Sequence, residues 1–227
     1  MRRNFTEFKD IHKGQDIWII AGGASMSYVD PSFFEGKVVM GVGESFRKYK
    51  NLPYYMRKDG SSYQGFDIFE EVKKNSLYSR IIFSDYHGCA YEWGKNEFPN
   101  ADIDYWYFEH EPSHGELSTN WADIDGKFAN GIGITGIAVH LCAYMGAKNI
   151  IICGNDTCFL DGKDYFNGYG AYECPTSHIQ TLNWGYDQTI EVVKHFRSKG
   201  VNIHGLNSFV DLRLEGHTTT LKNPDGR

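Results

Sequence analysis

A histidine behind a tyrosine-rich stretch and an aspartate closing a short apolar run are the residues through which this chain can do chemistry. The proton affinity of a histidine lies near neutrality, so His178 in a crevice can take a proton from a hydroxyl. It follows Tyr165, Tyr169 and Tyr172, and that stretch leaves Asn149 to Cys153, a β-rich run ending in Gly154-Asn155-Asp156. Upstream, Gly131, Gly133 and Gly136 lead into an apolar run in which Ile134, Ile137, Ala138, Leu141 and Met145 keep helical spacing. The free N–H groups and macrodipole of such a helix start attract an anion; glycines let it approach the backbone, and Thr135 adds a hydroxyl. Ligands of open α/β sheets collect outside the carboxyl ends of strands, so Asp156 and the helix start are expected to share one crevice. The same glycines would equally suit close packing of one helix on another.

Other constellations fit their letters but not their context. Gly131-x-Gly133-x-x-Gly136 matches the dinucleotide fingerprint, with Asp156 where a ribose-binding acid is expected. That fingerprint follows an apolar strand, however, and residues 123–130 read DIDGKFAN. His110-Glu111-Pro112-Ser113-His114 has the letters of a zinc-protease helix, yet Pro112 is tolerated only in a first turn, which leaves His110 outside the helix. Cys153, Cys158, Cys174 and His178 lack the paired spacing of zinc sites, and Cys153 falls inside the expected strand. Asp102-x-Asp104 and Asp123-x-Asp125 resemble the metal-binding pairs of sugar transferases and equally resemble ordinary acidic loops. No metal site is assigned.

The 227 residues suffice for one domain with a substantial core, and a net charge of -6 without a basic run excludes binding held mainly by a nucleic-acid backbone. Aromatics at 15% favour a folded chain with a shaped pocket. Five scattered cysteines do not make a disulfide framework, which implies a reducing compartment. No apolar run approaches the roughly 20 residues of a membrane span, and the start of the chain has no apolar leader, so a soluble cytoplasmic protein is expected.

The elements that must position these residues alternate between strands and helices. Asp16 to Gly22, Lys37 to Gly43 and Pro53 to Arg57 read as strands covered on both faces, the first feeding the turn Gly22-Gly23-Ala24-Ser25. Arg80 to Ser84, Tyr105 to Phe108, Asn149 to Cys153 and Asn202 to Gly205 supply more, with helices over Asp67 to Lys74, Ile134 to Met145 and Trp184 to Lys199. Spacing with room for crossovers predicts a single α/β domain over 1–227. Its sheet is Rossmann-like and mainly parallel, with helices on both faces. A loop-rich insertion at 86–129 and a lid-like loop at 157–177 would border the site.

With these residues laid out, the chain resembles the bacterial sialyltransferases of glycosyltransferase family 42 and the related, pterin diphosphokinase-like domain of unknown function 115. IIAGGASMSYVD resembles that family's I-I-A-G-N-G-P-S-L…I-D opening, and GITGIAVHLCAYMGAKNIIICGND its T-S-G…A…A-L-G-Y-K-E-I-Y-L-x-G-x-D block. Ser177-His178, then a helix, then Leu206-Asn207-Ser208 resembles its S-H…P-N-S ending. The resemblance implies a nucleotide-sugar-dependent, inverting glycosyltransferase that works without a metal and assembles as an oligomer. It puts Gly22, Gly23 and Ser25 at the nucleotide, with Gly43, Glu44 and Arg57 at the ends of the next two strands. Thr135 and Gly136 stand at the phosphate-binding helix start and Asp156 at the close of the central strand. Tyr165 assists the departing phosphate, and His178 is the general base. The opening turn is one residue shorter and lacks the family's asparagine, while Gly43 and Arg57 replace two more that read the cytidine nucleotide, so the donor need not be a CMP-sugar. Two alternatives stay open: a Mg-ATP-dependent diphosphokinase with Asp59 and Asp156 as metal ligands, and a non-catalytic nucleotide-binding protein of the same fold.

Overall fold

The structure, a computed structural model, describes residues 5–50, 52–57, 80–84, 105–109, 127–128, 133–157, 160, 163, 165 and 176–207, with backbone only at 80–84, 105–109, 127–128 and 176–186. The expected helix at 67–74, Asp59, the H-E-P-S-H run and most of 86–129 lie outside the described residues. Eight strands are present among the described residues: β1 Asp16–Ile20, β2 Val38–Val42, β3 Tyr54–Arg57, β4 Arg80–Ser84, β5 Tyr105–Glu109, β6 Lys127–Phe128, β7 Asn149–Cys153 and β8 Asn202–Gly205. They form one sheet in the order β6-β5-β4-β3-β2-β1-β7-β8, and every described pairing is parallel. The chain thus walks outward from β1 to β6, then returns through helix α1, Ile134–Tyr144, to place β7 on the other side of β1. Strand order reverses between β1 and β7, and the carboxyl ends of these two strands flank the crevice in which an open α/β sheet binds ligands.

Side chains alternate between two cores, as a sheet covered on both faces requires. Ile17, Ile19, Met40, Val42, Met56, Ile150 and Ile152 point to one face, beneath Ile137, Ala138, Leu141 and Cys142 of α1 and Val192 and Val193 of helix α2, Thr176–Ser198. Trp18, Ile20, Val39 and Cys153 point to the other face, which is covered by Met26, Phe34, Tyr49 and Leu52. There the cover is built of 3₁₀ helices, Ala24–Tyr28 and Pro31–Phe34, so the two faces carry different kinds of helix among the described residues. Burial keeps the Cys142 and Cys153 thiols as core groups: neither is in a disulfide, and the Cys142 pKa is pushed far up by desolvation.

The two described α-helices run parallel. Gly136 of α1 faces Thr189 and Val192 of α2, and the His140 and Phe196 rings meet at 5.2 Å between centroids one turn further on. Gly136 lies near the start of α1, whereas Thr189 lies well inside α2, so α2 extends about 16 Å beyond α1 at its N-terminal end. Both helices finish beside the amino ends of the strands that follow them, so this overhang projects past the carboxyl rim of the sheet, on the side of β8 against which α2 packs.

Candidate active site

The carboxyl ends of β1 and β7 are tied together beyond the strands themselves. Ala21 N donates to Cys153 O at 2.8 Å and Gly23 N to Gly154 O at 2.7 Å, so the turn after β1 is an extension of the β1–β7 ladder. Gly23 has no room for a side chain: an added Cβ would lie 2.5 Å from Cγ and Oδ2 of Asp156 and from the Gly154 carbonyl oxygen. Gly154 itself has φ +71°, a conformation that favours glycine, and an added Cβ there would strike Met26.

Asp156 closes this arrangement from the β7 side. Its carboxylate is 1% exposed and accepts two hydrogen bonds from Ser25, from the backbone N–H to Oδ2 at 2.7 Å and from Oγ to Oδ1 at 2.6 Å. Burial pushes its pKa up, and the two Ser25 bonds act in the opposite direction. The carboxylate is therefore engaged in holding the turn that contains Gly22, Gly23 and Ser25. Tyr165 reaches the same place, because its backbone forms an antiparallel bridge with Gly23. Four expected site residues, Gly23, Ser25, Asp156 and Tyr165, meet at the point where strand order reverses.

Two residues that sequence reasoning passed over flank Asp156. Asn155 Nδ2 and Thr157 Oγ1 are buried polar atoms with no hydrogen-bond partner among the described residues. Thr157 also holds φ +47°, in the left-handed region, where a β-branched residue is strained. Buried polar atoms are almost always paired in native proteins, so two orphans at a ligand crevice mark a place where a ligand can complete the set. The only signal in the sequence was their adjacency to Asp156.

A second cluster lies along the rim at the ends of β2 and β3. Glu44, 4% exposed, accepts from Arg57 Nη1 at 2.6 Å and from Arg47 Nε at 2.9 Å. Gly43 has φ +60°, and its carbonyl accepts from the Tyr55 hydroxyl at 2.6 Å, a phenol whose pKa burial pushes up to about 12. Gly43, Glu44 and Arg57 are thus brought together, with Glu44 shared between two guanidinium groups.

Thr135 and Gly136 occupy the first turn of α1, whose N-cap, Gly133, offers no side-chain hydrogen bond. Both are buried, and a Cβ added at Gly136 would lie 3.4 Å from Val192 Cγ2, so this glycine sits against α2. The strand expected to be missing before the glycines exists as the two-residue β6, at the sheet edge and away from β1. His178 does not sit in a loop. It belongs to the first turn of α2, which begins at Thr176 and shortens the lid-like 157–177 loop at its end; Asn183 and Gly185 interrupt the helical pattern and hide this start in the sequence.

No protein-family model matches the sequence, and no curated protein matches it. Solved structures do. The alpha-2,3-sialyltransferase Cst-I of Campylobacter jejuni superposes with a TM-score of 0.55 at 16% identity, covering 94% of this chain and 86% of that one. The chain has a sialyltransferase-like fold. CstII, a sialyltransferase of the same organism studied in complex with a substrate analogue, cytidine-5'-monophosphate, aligns with a TM-score of 0.51 at 11% identity over 88% and 83% of the two chains. Among the described residues, no helix is long and apolar enough to cross a membrane.

Proposed function

We propose that the protein is a nucleotide-sugar-dependent glycosyltransferase acting at the β1–β7 crevice without a metal. The observation that carries this reading is the convergence of the Ser25–Asp156 turn, the Tyr165 backbone and the orphan atoms of Asn155 and Thr157 at the switch point of a sialyltransferase-like fold. In the reaction, an acceptor hydroxyl oxygen attacks the anomeric carbon as the bond from that carbon to the nucleotide phosphate oxygen breaks, inverting the centre. The hydroxyl proton goes to His178. The α1 N-terminus at Thr135 and Gly136, together with Tyr165, stabilises the charge that develops on the phosphate. Gly22, Gly23 and Ser25 form the floor, and Gly43, Glu44 and Arg57 bound the nucleotide end.

A thermal-shift screen with nucleotides and nucleotide sugars, with and without Mg²⁺ and EDTA, tests the donor, since a ligand of the folded state raises apparent stability by mass action. Stabilisation that survives EDTA is expected. Stabilisation by Mg-ATP alone would replace this reading with the diphosphokinase, and no response to any nucleotide would overturn it. For the nucleotide sugar that stabilises, His178→Ala is expected to keep the shift and to lose most turnover, roughly a hundredfold or more. Unchanged turnover would remove His178 from the mechanism.

A further inference from the structure

β8 ends the sheet: among the described residues no strand pairs with its outer side. An open edge offers backbone donors and acceptors to any extended chain, so the groups it presents decide whether the sheet can grow. The ladder to β7 fixes which groups face out. Asn202 N donates to Lys148 O at 3.2 Å and Leu206 N to Ile152 O at 2.8 Å. Even-numbered residues of this parallel pair therefore bond inward, and the N–H and C=O groups of Ile203 and Gly205 point away from the sheet. The outward Ile203 carbonyl is already taken. Arg197, in the last turn of α2, reaches it and donates from Nε at 3.0 Å and from Nη2.

We propose that Arg197 closes β8 to strand addition, and that the partner it excludes is β8 of a second copy of this chain. This closure is independent of what the crevice binds. Two β8 strands set antiparallel about a two-fold axis at His204 would place Ile203 of each opposite Gly205 of the other. The outward groups of these residues would then make four hydrogen bonds, two of which need the Ile203 carbonyls that the guanidinium groups occupy. Pairing would also press two like charges together at an edge that is losing its water. A planar fork that donates twice to one oxygen holds the cap in a single geometry. The strand has no other protection of this kind, because Asn202–Gly205 contains no proline, lysine, arginine or carboxylate.

Amide hydrogen exchange on the full chain at about 20 μM and about 1 mM, with sedimentation velocity alongside, tests this by mass action. The proteins compared are wild type, Arg197→Met, which keeps an apolar stem without donors, and Arg197→Met combined with Gly205→Pro. The proline deletes an outward N–H that no β7 carbonyl uses. In Arg197→Met the Ile203 and Gly205 amides are expected to exchange about tenfold more slowly at the higher concentration as a larger species appears. In wild type their exchange is expected to be independent of concentration, and in the double variant the Ile203 amide returns to that behaviour. Assembly through any other surface leaves these two amides unaffected. If Arg197→Met does not fold, Arg197→Gln decides: one neutral donor replaces a charged double cap, and a slowing of about threefold is expected. Exchange independent of concentration in the folded single variant, equal slowing in wild type, or slowing that survives Gly205→Pro would each overturn the proposal.

Discussion

Ser25→Ala tests whether a buried ionised carboxylate holds the switch-point turn. Asp156 is 1% exposed, and its oxygens accept from the Ser25 N–H and Oγ. The substitution deletes the hydroxyl donor and leaves the amide. At neutral pH one oxygen of a buried anion then loses a hydrogen bond, and bonds to charged groups contribute about 1.5–3 kcal/mol. Once Asp156 is protonated, the same substitution removes only a neutral hydrogen bond, about 0.5–1.5 kcal/mol. The sign follows from linkage. Burial raises the folded-state pKa of Asp156 above its ordinary value of 3.8, so the native state binds more protons than the unfolded state within that window, and this group's contribution to stability falls as pH rises through it. Loss of the Ser25 hydroxyl raises the folded pKa further. Between the two folded pKa values the variant therefore loses stability relative to the wild type as pH rises, and above both the gap is constant. Equilibrium urea unfolding of both proteins from about pH 4 to about pH 8 measures the gap directly. A gap under about 0.5 kcal/mol at neutral pH, or one of the same size throughout, would show that Asp156 does not act as a buried anion held by Ser25.

Gly23→Ala should cost about 2–4 kcal/mol in the same unfolding assay, because the new Cβ meets the Asp156 carboxylate and the Gly154 carbonyl at 2.5 Å. The backbone at Gly23, φ −62° and ψ 157°, is open to alanine, so a cost near zero would disprove the close approach and could not be blamed on conformation. Glu44→Ala takes a 4% exposed carboxylate from between Arg47 and Arg57 and should cost about 3–5 kcal/mol. The double substitution Glu44→Leu with Arg57→Met should recover most of that loss, and a single-variant cost under about 1 kcal/mol would show that the pair is effectively solvated.

The strands were legible because a sheet covered on both faces demands near-continuous apolar runs, and β4 and β7 begin and end where the sequence places them. Helix α1 was legible from its spacing, with Gly146, φ +83°, as its stop. The 3₁₀ helices that cover the second face were not, since four- and five-residue turns carry no period to read. Resemblance supplied Ser25, and the strand pattern already supplied Asp156, as separate positions; their mutual hydrogen bonds span 131 residues and depend on β1 and β7 being neighbours, which only the sheet order determines. Asn155 and Thr157 stayed invisible for a related reason: an unpaired buried atom and a left-handed backbone are properties of the folded crevice and leave no mark on residue type.

The same strand order also separates two parts of the rim. On the β2–β3 side the Glu44 carboxylate lies between the Arg47 and Arg57 guanidinium groups, in a setting where burial weakens solvent screening. On the β7–β8 side, a cavity of about 400 Å³ beside Ser25 and Gly154 has no charged side chain in its lining among the described residues. Under the proposed function the nucleotide end of the donor lies on the first side and the anomeric carbon over the Gly23 turn. That turn is crowded by Asp156 and Gly154 and bridged to Tyr165, and its rigidity is what a displacement reaction needs from the surface on which the two substrates meet.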